Sequence, residues 1–145
     1  MNMATTRNAY SEVEARNLEL VRSGFDKWVQ GTGTVFELLA TTARWTIVGN
    51  SDVSKVYESK QELMESVIEP FNARLSRPLI PNLRGLYANQ DLVVALFDGA
   101  ALAKDGKAYR NTYSWSMRLR EDRIVEAVAY FDSIAFNDFW RRVKP

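Results

Sequence analysis

The sequence predicts an α+β domain in which helices cover one face of a strongly curved antiparallel sheet, closing it into a cone. Three observations point there. Helical periodicity occupies the first half of the chain and strand-like runs between turn residues occupy the second. The 145 residues suffice for one core. No repeat, low-complexity tract or linker divides them, so 1–145 is expected to be a single domain, with 1–10 a flexible N-terminal segment.

Three capping-box patterns mark helix starts, each with a hydroxyl for one backbone amide and a Glu reaching back to another. Ser11-Glu12-Val13-Glu14 opens a helix whose Leu18, Val21, Phe25, Trp28 and Val29 share a face, and Gly31 and Gly33 stop it. Thr34-Val35-Phe36-Glu37 opens a short helix through Leu39. Ser59-Lys60-Gln61-Glu62 opens a third, with Leu63, Met64, Val67, Ile68 and Phe71 inward, and Pro70 is expected to kink or split it. Arg44–Val48 reads as a short strand ending at Gly49-Asn50. After Pro78 and Pro81 the texture turns to strands: Leu83–Ala88, Leu92–Leu102, Ala108–Leu119 and Ile124–Phe131. Lys104-Asp105-Gly106-Lys107 is a hairpin signal, and Asp132-Ser133 caps a final helix carrying Ile134, Phe136, Phe139 and Trp140.

Composition removes several chemistries. With no Cys and no His, disulfides, thiolate nucleophiles, Ser–His–Asp arrangements and most transition-metal sites are excluded, and no metal or other cofactor is expected. Carboxylates, Tyr, Lys or oriented water must carry any catalysis. A net charge of +1 argues against nucleic acid as a partner, and Arg141, Arg142 and Lys144 read as a solvated tail. No run reaches the roughly 18 apolar residues of a membrane span. Met1–Asn8 lacks a basic and an apolar signal region, so a cytoplasmic protein is expected.

Asp98 ends the apolar run Leu92–Phe97. A buried carboxylate is costly unless paired or protonated, so Asp98 is either a pocket acid–base group or a bulge residue beside Gly99 that helps bend the sheet. Asn111, Tyr113 and Trp115 alternate along one strand and share a face. On the cone interior, Asn111 and Tyr113 offer donors to a substrate oxygen and Trp115 an aromatic wall; on the other face they would serve a dimer contact. Trp45 and Ile47 share a face that suits a pocket floor or ordinary core, and Phe131 stands in the pocket register through Ala129. Asp132 reads as an N-cap.

Arg44-Trp45-Thr46-Ile47-Val48-Gly49 resembles one signature of the SnoaL-like, ketosteroid-isomerase-related group of the nuclear transport factor 2-like superfamily. Asp105–Trp115, Arg123-Ile124-Val125-Glu126 and Tyr130-Phe131-Asp132 resemble others, and together they cover about residues 11–140. The resemblance implies the cone fold and a homodimer joined through its sheet. The fold hosts isomerases, dehydratases, epoxide hydrolases, polyketide cyclases and binding modules, so it fixes no reaction. The isomerase base falls at Ile47, its first-helix Tyr near Gly24 and its protonated Asp near Trp115, so that triad is missing. Of the epoxide-hydrolase set only one carboxylate is matched, by Asp98; the remaining positions read Leu96, Ala129, Trp45 and Ile47.

The expectation is therefore a SnoaL-like enzyme of unassigned substrate, moving a proton or promoting loss or addition of water on a small hydrophobic, oxygen-bearing ligand. Asp98 is its acid–base group, Tyr113 its catalytic donor, and Trp45, Ile47, Asn111, Trp115 and Phe131 contact the ligand. The competing expectation is a non-catalytic binding or dimerisation module with Asp98 structural. A convex sheet face carrying Thr112, Ser114, Ser116 and Arg118, with Val93 and Ala95 as its apolar centre, is expected to join two copies.

Overall fold

A computed structural model describes residues 9–145. Helix α1 (Glu12–Gln30) starts at Ser11, whose hydroxyl accepts from the Glu14 amide while Glu14 answers the Ser11 amide, and ends at Gly31 in the left-handed region (φ 76°). The Thr34 capping box opens only a 3-10 turn, Val35–Leu38. A Cβ at Gly24 would stand 3.1 Å from the Val35 backbone, so the absence of a side chain there lets this turn lie against α1.

The turn runs into β1 (Leu39–Ile47), followed by a two-residue strand β2 (Val56–Tyr57) that lacks any alternating pattern in the sequence. The third capping signal starts α2 (Lys60–Leu63), which continues through a π-turn (Met64–Ile68) into α3 (Glu69–Asn72). Pro70 splits the helix as its chemistry requires: it has no amide to donate, and the wider turn just before it closes with Glu69 donating back to Met64. The later elements are β3 (Leu75–Asn89), β4 (Leu92–Ala103), β5 (Ala108–Arg120), β6 (Arg123–Phe131) and α4 (Ser133–Arg142), the last capped by Asp132.

The six strands form one curved sheet in the order β2-β1-β6-β5-β4-β3. It is mixed rather than wholly antiparallel, because β1 runs parallel to β6, with Trp45 beside Ala127 and Ile47 beside Ala129. β3 begins well before the expected Leu83 and takes in both Pro78 and Pro81. It is an edge strand, where a residue without an amide proton is tolerated.

On β5 the odd positions Tyr109 to Leu119 are buried, while the even ones are exposed or half-buried. The odd face carries the core and the helices, and centres on Phe25, Phe97, Trp115 and Met117. Val93 and Ala95 belong to it and are fully buried, which removes them from the expected dimer face. The apolar groups of the outer face are Val94, Leu96, Val128 and Tyr130 instead. Arg118 is held within its own chain by Asp91 at 2.7 Å and Glu126 at 3.7 Å. Most of the expected N-terminal segment, Met1–Asn8, lies outside the described residues; within it, Tyr10 meets the sheet, its hydroxyl accepting from the Ala88 amide at 3.4 Å. No helix of the described residues is long and apolar enough to cross a membrane.

Candidate functional site

The inner face of the sheet and the helices over it enclose a cavity of about 710 Å³. Trp45 and Ile47 reach it from β1, Phe97 from β4, Tyr113 and Trp115 from β5, and Ala129 and Phe131 from β6. Trp28 of α1, Phe36 of the 3-10 turn, Met64 and Val67 of the π-turn, Phe71 of α3 and Phe136 of α4 wall the other sides. Its size and aromatic lining suit a small, largely apolar molecule. Gln30, Thr34, Asn72 and Ser76 are the polar lining residues nearer solvent.

The aromatic rings brace one another. Trp115 meets Trp45 edge-on at 4.9 Å and Phe97 edge-on at 4.8 Å, and Tyr113 stacks on Phe97 at 4.8 Å with 9° between planes. Gly99 completes the seat of Tyr113: a Cβ there would stand 3.1 Å from the Tyr113 ring and 2.9 Å from Leu79. A side chain at that position would displace one or the other.

Tyr113 is the one titratable side chain lining the cavity among the described residues. Burial pushes its phenol well above the ordinary value, and the neighbouring Tyr109 phenol adds to the shift. Its hydroxyl lies 2.7 Å from that of Tyr109, whose own ionisation burial pushes up to about 12. Both phenols therefore stay protonated across the physiological range, which leaves neither of them able to act as a base there.

The expected residues divide. Trp45, Ile47, Tyr113, Trp115 and Phe131 come together around the cavity. Asn111 does not line it. Its Oδ1 accepts from the amides of Thr112 (2.8 Å) and Asp132 (3.0 Å), and its Nδ2 donates to the Asp132 carbonyl (3.0 Å) and the Tyr109 hydroxyl (2.8 Å). Every bonding position is used, so Asn111 fastens β5 to the start of α4 instead of meeting a ligand.

Asp98 is the larger correction. It sits on the outer face, opposite Thr112 and Asn82, in a shallow surface depression separate from the cavity. Thr112 Oγ1 donates to it at 3.0 Å and Arg84 pairs with it at 3.4 Å, its side chain being 38% exposed. Strand side chains alternate, so its neighbours Phe97 and Gly99 are the ones that face inward. The bulge of this region lies on β3, where register shifts between Leu83 and Gly85, not at Asp98 itself. No group of three or more carboxylates stands ready for a metal among the described residues.

Sequence reasoning missed Tyr109, which shares the inner face with Asn111 and Tyr113 by simple alternation. It also missed the walls Trp28, Phe36, Phe97 and Phe71, which helical and strand periodicity marked only as core.

No family model matches the chain, and no curated protein matches it by sequence. Solved structures do match its shape. Bal32a, from a soil-derived mobile gene cassette, superposes with a TM-score of 0.75 at 20% identity, covering 90% of this chain and 100% of that one. An NTF2-like protein from Anabaena variabilis gives 0.69 at 20% identity, covering 87% and 96%. A putative SnoaL-like polyketide cyclase from a Jannaschia species gives 0.67 at 19% identity, covering 89% and 94%. With its curved six-stranded sheet, helices on the inner face and central cavity, the chain has the nuclear transport factor 2-like fold.

Proposed function

We propose that this protein binds a small, largely apolar molecule inside the cone, and that the bound molecule is held by aromatic walls and oriented by Tyr113. The observation that carries the reading is the cavity itself: about 710 Å³, aromatic on most sides, with one titratable group and no carboxylate among its lining residues. The enzyme reading needs a proton acceptor beside the ligand. Asp98 cannot serve, since it is on the far side of the sheet, and a phenol held protonated does not remove protons near neutral pH. The SnoaL-like polyketide cyclase of the same fold supports a small-molecule role for the cavity, while the side chains here favour binding over acid–base chemistry.

Fluorene, a neutral tricyclic hydrocarbon, is a suitable probe. Equilibrium dialysis is expected to give saturable uptake of one fluorene per chain. Ala129 lies on the cavity floor beside Ile47 and Trp115, so Ala129→Phe fills the space and is expected to abolish uptake while circular dichroism stays unchanged. Uptake that survives in Ala129→Phe would place binding elsewhere and reject the reading.

The partner reading is a homodimer through the outer sheet face. Leu96 (39% exposed) and Tyr130 (52%) stand there beside Val94 and Val128, with no helix over them among the described residues. Ser114 and Ser116 lie between them, giving the mixed polar and apolar texture of a wet interface.

A further inference from the structure

Resting on the cavity-binding reading, we propose that the π-turn Met64–Ile68 is the movable wall of the cavity, a strap that swings aside to admit a ligand and closes over it. Among the described residues it is the wall that no polar bond holds to another element, and its backbone register carries slack.

The walls can be compared one by one. β1, β4, β5 and β6 are laddered to their neighbours across the sheet. α1 sinks Val21 and Phe25 into the core, and its Arg16 pairs with Asp122 of the β5–β6 turn. The 3-10 turn is closed by its capping box and fastened to β6, where Arg123 donates to the Glu37 carbonyl at 2.9 Å. α4 is anchored through Asn137, which accepts from the Asp52 amide at 2.8 Å, and through Arg141, which meets the Asp52 carboxylate at 2.6 and 2.7 Å.

Met64–Ile68 has no such tie. Its side-chain hydrogen bond, from Gln61 to Glu65 at 3.0 Å, stays within the same helix. Met64, Val67 and Ile68 line the cavity, so part of what lies beneath them is open space rather than packed side chains. A helix draws most of its stability from such packing, and here that support is thin.

The two ends are pinned. Before the turn, the Ser59 hydroxyl accepts from the Glu62 amide at 3.1 Å, the Glu62 carboxylate accepts from the Glu58 amide at 2.9 Å, and Leu63 is fully buried. After it, Arg74 donates to the Pro70 carbonyl at 2.9 Å, and the Ala73 amide donates to the Glu69 carbonyl at 2.9 Å. Fixed ends with an untied middle make a strap.

The slack lies in the register. In an α-helix the Glu69 amide would donate to Glu65; here it reaches back one residue further, to Met64. Pro70 has no amide to offer in its place. The Glu65 carbonyl thus lacks the amides that the residues four and five places on would supply. A slip of the Glu69 amide from Met64 to Glu65 re-aims the turn over the cavity while both pinned ends stay in place.

Hydrogen–deuterium exchange tests the strap directly. In the free protein, amides of 64–72 are expected to exchange faster than those of α1, and saturating fluorene is expected to slow them roughly tenfold. Two variants then move the rates in opposite directions. Ser66 is exposed and does not line the cavity, so Ser66→Gly loosens the turn without touching a ligand. It is expected to speed fluorene association and dissociation together by roughly twofold to threefold, leaving Kd unchanged, as read by stopped-flow tryptophan emission. Pro70→Ala supplies the missing amide and is expected to slow both steps. Either strap amides that exchange as slowly as those of α1, or native rates in both variants, would overturn the movable wall and leave the binding reading intact. Failure of fluorene to bind at all would overturn the binding reading and this inference with it.

Discussion

Asn111 answers two amides, one carbonyl and one phenol from a position only 7% exposed. Replacing it by Leu would remove all four of these hydrogen bonds, the one to the Tyr109 phenol being fully buried, and a buried group that loses its partner costs about 1–3 kcal/mol. Asn111→Leu is therefore expected to lower unfolding free energy by about 2–4 kcal/mol in urea melts. Asp98→Asn should not. Its ion pair with Arg84 is exposed, of a kind worth about 1 kcal/mol or less, and it lies outside the cavity, so fluorene uptake is expected to stay at the native value. A loss of uptake in Asp98→Asn would return that carboxylate to the site. Its face was not legible beforehand for a definite reason. From Leu92 to Leu102 nearly every residue is apolar, so alternation gives no phase, and a one-residue error moves a side chain through the sheet. On β5, where Arg110, Thr112 and Ser114 alternate with Tyr109, Asn111, Tyr113 and Trp115, the phase was readable and the shared face followed.

Elements were legible where a local signal is strong. All three capping hydroxyls accept from an amide of the turn they open, Ser11 and Ser59 from the residue three on and Thr34 from Phe36, two on, and Asp132 caps α4 by accepting from Ile134 at 2.9 Å. What local signals lack is pairing: β2 is two residues long, and the parallel partnership of β1 with β6 depends on residues far apart in the chain. Nor did they reveal how α4 is tied down. Arg74, 7% exposed between α3 and β3, donates to the carbonyls of Pro70 (2.9 Å), Trp140 (3.2 Å) and Val143 (2.7 Å). Its guanidinium also lies 3.7 Å from the centre of the Trp140 ring. One cation thus closes the end of α4 and joins it to the helix that walls the cavity. Arg74→Met keeps much of the volume but removes every donor. It is expected to speed amide exchange across Ser133–Arg142 more than in the β4–β5 hairpin, as measured by hydrogen–deuterium exchange. Uniform acceleration throughout the chain would show instead that Arg74 supports the whole core.

At the scale of the molecule, the sheet has one face filled by helices and cavity and one face bare among the described residues. Light scattering is expected to return twice the 16.6 kDa chain mass at tens of micromolar protein. Leu96→Lys with Tyr130→Glu is expected to return the single mass with an unchanged circular dichroism spectrum. A native protein that already scatters as a single chain would remove the dimer reading. The overall architecture was legible because the order of helices and strands leaves few ways to cover one sheet, whereas the mixed direction of the sheet was not. That direction carries a consequence for synthesis. Leu39 pairs with Ile124 and Ile47 with Ala129, so β1 emerges from the ribosome long before its neighbour exists. Until β6 is made, β1 has only the two-residue strand β2 to pair with, through Trp45 beside Tyr57, and the early half of the chain lacks most of the sheet that covers its apolar surface. The β3–β4 and β4–β5 hairpins are formed from contiguous chain and can assemble first, with β1 docking last. The cavity floor would then be the final part of the protein to take shape, and the nascent chain the form most in need of a chaperone.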